Sequence, residues 1–141
     1  MQRPGARHAG RDAALQMLFA LDAQETTADD VIRLFWRLFE GDPEGKPYAD
    51  TIVRGVAEHM KELDARVEQA AKNWRLERMT RVDRNVLRLA AWELSYNAEV
   101  PRAVVLDESV ELAKAFGSDD SPAFVNGVLN RVADELGRND G

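Results

Sequence analysis

The chain has 141 residues, 45% hydrophobic and 31% charged, which fits one globular domain with a core of its own. It has no cysteine, which excludes disulfides, thiolate catalysis and cysteine-ligated zinc or iron–sulfur centres. No apolar run nears the ~20 residues of a membrane span and the N-terminus lacks a signal-peptide core, so a cytoplasmic protein with no membrane partner is expected. The net charge of −6 argues against broad nonspecific binding to nucleic acid, yet 15 of the 19 cations are arginine, the side chain suited to bidentate phosphate contacts. They cluster: Arg3, Arg7 and Arg11 with His8 near the N-terminus, and Arg75, Arg78, Arg81, Arg84 and Arg88 against only Glu77 and Asp83.

In chain order the segments read as helices. Residues 1–10 are expected as a flexible arginine-bearing arm, followed by a helix from Arg11 to Gln24 with Ala14, Leu15, Leu18, Phe19 and Leu21 at 3–4 spacing. Thr27 is placed to cap a second helix, with Asp30 three residues on and Ile32, Phe35, Trp36 and Phe39 as its apolar stripe. The Gly-Asp-Pro-Glu-Gly-Lys-Pro stretch at 41–47 is a turn, and Pro47 suits the start of a third helix carrying Ile52, Val53, Val56 and Met60. A fourth helix is predicted from about Leu63 to Trp74, with Glu62→Arg66 and Glu68→Lys72 as i,i+4 pairs worth roughly 0.2–0.5 kcal/mol each.

Val82, Val86, Leu87, Leu89, Ala90 and Leu94 give a wide stripe on a helix that should be central. After Pro101 comes a helix expected to bury Leu106, Val110, Ala113 and Phe116, with Gly117 as its stop. Ser121 is expected to cap the last helix with Pro122 at its first position, and Val125, Val128, Leu129, Val132 and Leu136 recur at helical spacing before a frayed tail at 137–141. Nothing alternates as a strand does. The expectation is an all-α bundle of about seven helices forming a single domain over 1–141.

The residues offer little for catalysis. His8 and His59 sit on different elements, outside any HExxH spacing, and no phosphate-loop or nucleophile-elbow motif is present. Asp107, Glu108 and Glu111 read as an exposed acidic face, since a di-metal bundle would need Glu-x-x-His partners that the chain lacks. No enzyme activity, cofactor or metal is expected. Binding is the better prospect. Glycine inside a helix costs about 1 kcal/mol relative to alanine, so Gly127 within Phe124–Leu129 suggests a close approach by another helix or a ligand. Phe124, one residue before the Val125 stripe, sits at the edge of the core or stacks on a base.

These residues resemble the NusB family of bacterial transcription antitermination factors. The resemblance lies in Val82-Asp83, Leu87-Arg88-Leu89-Ala90, Glu93-Leu94, Val100-Pro101, Glu108, then Leu112-Ala113-Lys114-Ala115-Phe116-Gly117 and Phe124 to Leu129. Towards the N-terminus Arg11-Asp12-Ala13 and Leu15-Gln16-Met17-Leu18-Phe19 match the family's first helix. The resemblance implies a helical bundle of two halves, without catalysis, that binds the boxA element of nascent single-stranded RNA together with NusE, a protein of the small ribosomal subunit. It thereby serves the RNA polymerase elongation complex on ribosomal RNA operons. By position it implies RNA contacts at Arg3, Arg7, His8, Arg11, Phe19, Asp120 and Phe124, and NusE contacts at Glu77 and Asp83.

Two departures stand out. The family's run of adjacent arginines is thinned to Arg7-His8-Ala9-Gly10-Arg11, with Gly10 expected to loosen the helix start, and Ala123 stands where a basic residue can precede the Phe. Fewer phosphate contacts imply weaker binding with a shallower salt dependence. Similar domains also form the N-terminal part of RNA cytosine methyltransferases; a length of 141 residues leaves no methyl-donor domain, which favours the antitermination reading over a free-standing aid to ribosomal RNA processing. The structural alternative is a helical adaptor, as a homodimer, whose arginines pair only within the molecule.

Overall fold

A computed structural model describes residues 4–38, 41–72 and 74–140. Among them are seven α-helices and no strand: α1 (Pro4–Ala23), α2 (Ala28–Leu38), α3 (Lys46–Glu58), α4 (Met60–Ala71), α5 (Arg81–Tyr96), α6 (Arg102–Phe116) and α7 (Ser121–Glu135). Single turns of 3-10 helix at Pro43–Gly45 and Leu76–Arg78 precede α3 and α5. The chain divides into two compact units, Met1–Glu58 and His59–Gly141.

In the first unit α1, α2 and α3 pack on one another. α1 starts at Pro4, so residues 4–10, expected as an arm, are its first turns. Proline is tolerated at a helix start, and the alanines that follow are the strongest helix formers. Ala6, Gly10, Ala13, Ala14, Met17 and Leu18 make its buried face. Gly10 does not loosen this helix: a Cβ there would lie 3.0 Å from the Gly45 carbonyl oxygen and from Tyr48 Cβ, so the two backbones meet glycine to glycine. In α2 the Asp30 N–H donates to Thr27 Oγ1 at 3.2 Å, the expected cap. Val31, Ile32 and Phe35 are buried; Phe39 lies outside the described residues. The buried Asp50 on α3 accepts from Trp36 Nε1 (2.8 Å) and Lys46 Nζ (2.6 Å), which pins α2 to α3.

In the second unit α4, α6 and α7 contact α5. From Asn85 to Leu94 every residue of α5 is buried, the mark of a central helix. Its one interior arginine, Arg88, grips Asp64 of α4 with Nε and Nη2 (2.7 and 3.1 Å) and donates to Asn85 Oδ1. Among the 75–88 arginines Arg88 thus pairs within the molecule, and Arg75 sits 3.4 Å from Glu77.

Several expectations are corrected here. α4 runs from Met60 to Ala71, because Lys72 takes φ 58°, a left-handed conformation that stops the helix, and Trp74 falls beyond it. Glu68, expected to pair with Lys72, accepts the Leu76 N–H instead. α6 buries Val105, Leu106, Ser109, Leu112 and Ala113, while Val110 is half-buried and Phe116 exposed. Ser109 is admitted to this face because its hydroxyl donates to the Val105 carbonyl at 2.7 Å. Ser121 is the first residue of α7, not its cap, and its hydroxyl accepts the Ser118 N–H. Residues 137–140 are not a frayed tail: Arg138 donates to the carbonyls of Leu94 (3.0 Å) and Val100 (2.8 Å), and Asp140 accepts from Arg138 Nε and from the Arg102 N–H.

Candidate nucleic-acid interface

The expected RNA residues fall into two groups, each described within its own unit. Arg7, His8, Arg11 and Phe19 lie on α1 in the first unit, and Arg3 lies outside the described residues. His8 and Phe19 are eleven residues apart, about three turns and 17 Å along the axis, so they share a face. Both are exposed, and Arg7 is half-buried. Arg11 departs from the expectation. It is only 2% exposed, on the face that holds Ala14 and Leu18, with its guanidinium carbon 5.7 Å from the Tyr48 ring centroid. Its aliphatic stem and planar head pack against Tyr48 of α3.

Asp120 and Phe124 stand at the start of α7, where the Phe124 N–H donates to the Asp120 carbonyl at 3.2 Å. Asp120 is exposed and Phe124 half-buried. The Phe124 ring meets Trp74 edge to face, with centroids 6.2 Å apart and planes at 74°. Gly127, expected to pack against another helix, does not: it is exposed, and a Cβ built on it meets no atom within 4 Å. Its missing side chain leaves open the floor of a cleft of about 350 Å3, lined also by Lys72, Trp74, Phe124 and Arg131. The sequence pattern placed Trp74 inside a helix, gave Lys72 only a pairing with Glu68, and gave Arg131 no role. The available signals were the unexplained Gly127 and a tryptophan beside a chain reversal.

Of the two acids expected to meet NusE, Glu77 is exposed and Asp83 is not. Asp83 occupies the first turn of α5, where its backbone N–H donates to Thr80 Oγ1 at 3.1 Å, and it is 8% exposed. With Asp83 buried and Glu77 exposed, the two acids do not form a shared surface pair.

Each unit is a packed group of α-helices with aromatic and cationic side chains on its surface, which places the chain among the all-α proteins. The NusB family model matches residues 8–134, and on that match the chain belongs to the NusB family. A relative from Sorangium cellulosum, the transcription antitermination protein NusB, is 62% identical over 96% of this chain and 97% of its own length. Among solved structures, NusB of T. maritima superposes with a TM-score of 0.82 at 34% identity, covering 96% of this chain and 94% of that one. A structure of the antitermination factors NusB and NusE in complex with double-stranded RNA shares the fold, with a TM-score of 0.84 at 24% identity over 94% of this chain and 99% of that chain.

Proposed function

We propose that this chain is a non-enzymatic transcription antitermination factor that binds boxA-type RNA together with NusE in the cytoplasm. The observation that carries this reading is the match over residues 8–134, with 62% identity to a protein named for antitermination. The shared fold of a NusB solved with NusE and RNA supports the choice of partners. No helix among the described residues is long and apolar enough to cross a membrane, which is compatible with that compartment.

On α1, Arg7 supplies charge and hydrogen bonds to phosphates, His8 a further hydrogen bond, and Phe19 offers a ring to a base. Arg3, outside the described residues, adds a further cation ahead of them. Asp120 contributes hydrogen-bond acceptors at the start of α7, where Phe124 offers the second ring. Arg11 holds α1 against α3 and so positions the helix instead of touching RNA. Glu77 serves as an exposed rim charge towards a basic protein partner, speeding encounter more than deepening affinity. In a reconstituted transcription reaction on a boxA-bearing template, adding the chain with NusE should raise polymerase read-through at a terminator. No change in read-through, with both proteins folded and present, contradicts the function.

A further inference from the structure

We infer that the outer face of α2 is a docking surface for an acidic amphipathic helix of a protein partner. The inference goes beyond the RNA-binding reading and does not depend on it, since α2 carries none of the residues assigned to RNA. This 11-residue helix turns Val31, Ile32 and Phe35 inward, where it packs on α1 and α3. Leu34 and Leu38 stay outside, 49% and 64% exposed. They are the only exposed leucines among the described residues. Four residues apart, they stand one above the other and form a single apolar ridge. One exposed leucine is ordinary, whereas an i,i+4 ridge is the surface element that fits the groove of a second helix.

Charge selects the occupant. Arg33 and Arg37, also four apart and exposed, form a second ridge directly beside the leucines. Arg33 is paired with Asp30 on its own helix. Asp29, the other acid of α2, is held by Arg54 Nε of α3 at 3.2 Å. With both acids engaged, the Arg37 guanidinium has no carboxylate partner among the described residues. A helix with leucines on one stripe and carboxylates beside them meets both ridges. Its apolar side chains pack between Leu34 and Leu38, and a carboxylate takes the fork of Arg37. Other occupants leave part of the face unmatched. A phosphate backbone would take the arginines and leave the leucines in water. A second copy of this chain, paired face to face, would set the same arginine ridge against itself.

The test is a fluorescence anisotropy titration of the full chain with three labelled synthetic helical peptides. One carries a leucine stripe flanked by glutamates, one has lysines for those glutamates, and one has serines for those leucines. The glutamate–leucine peptide should bind roughly tenfold more tightly than either control, and less tightly as salt rises. Leu34→Ser/Leu38→Ser should lose roughly tenfold of that affinity with the melting temperature near wild type, because both side chains already meet water. Arg37→Glu should reverse the preference and favour the lysine peptide. No binding of the glutamate–leucine peptide, equal affinity for the acidic and basic peptides, or a folded double leucine variant within twofold of wild type overturns the inference. A wild-type dimer in sedimentation equilibrium that the leucine variant dissociates also overturns it, since a second copy then covers the face. Displacement of the peptide by a boxA-type RNA would assign the face to nucleic acid and overturn it too.

Discussion

Gly127 lowers the helix propensity of α7 by about 1 kcal/mol relative to alanine and makes no packing contact in return. Gly127→Ala is therefore expected to raise the unfolding free energy by about 0.5–1 kcal/mol in urea denaturation, because a methyl group meets nothing. A lower stability would mean that something does approach the backbone there. The glycine stood out in the sequence, but not the reason for it, since a close approach and a deliberately open surface leave the same residue. Arg11 and Asp83 show the converse. Each is a charged residue buried on its helix, Arg11 beside the Tyr48 ring and Asp83 in the first turn of α5, and spacing alone does not reveal either.

The helices themselves were readable because apolar spacing, Thr27 and Pro101 mark most of their faces and starts; α5 as the buried centre follows from its stripe. The ends were less so. α1 reaches back to Pro4 because Gly10, discouraging as a helix former, is needed where α1 crosses the turn before α3. Gly10→Val should therefore destabilise the protein by about 1–3 kcal/mol, the usual cost of overpacking, read as a fall in the denaturation midpoint. An unchanged midpoint would show that the crossing can open freely.

The C-terminal residues after α7 are held by ion pairs that periodicity does not foresee. The Arg138 guanidinium beside Asp140, and then the Arg102 N–H, hold that carboxyl well below the usual aspartate range. A depressed carboxyl contributes stability that is present above the ordinary value of 3.8 and is lost as pH falls below it through the folded value. Asp140→Asn should therefore cost a constant amount near neutral pH, and the difference from wild type should shrink as the medium is acidified below 3.8, followed by thermal melts across pH. A difference that stays the same at pH 2 would contradict the pairing.

Taken together the molecule is acidic, yet two of its surfaces combine aromatic rings with cations: the α1 face with Arg7, His8 and Phe19, and the cleft at Phe124. An overall −6 suppresses indiscriminate attachment to nucleic acid, so affinity has to come from a few local contacts and from a partner that adds its own surface. With so few phosphate contacts, RNA binding by the chain alone should be weak and only shallowly dependent on salt. The decisive measurement is the affinity of the full chain for a single-stranded boxA-type RNA, titrated with and without NusE at two or more salt concentrations. The expected result is weak binding alone and a gain of at least tenfold, about 1.4 kcal/mol, when NusE is present. An affinity that NusE leaves unchanged, or no binding in either mixture, would contradict joint recognition of RNA by the two proteins.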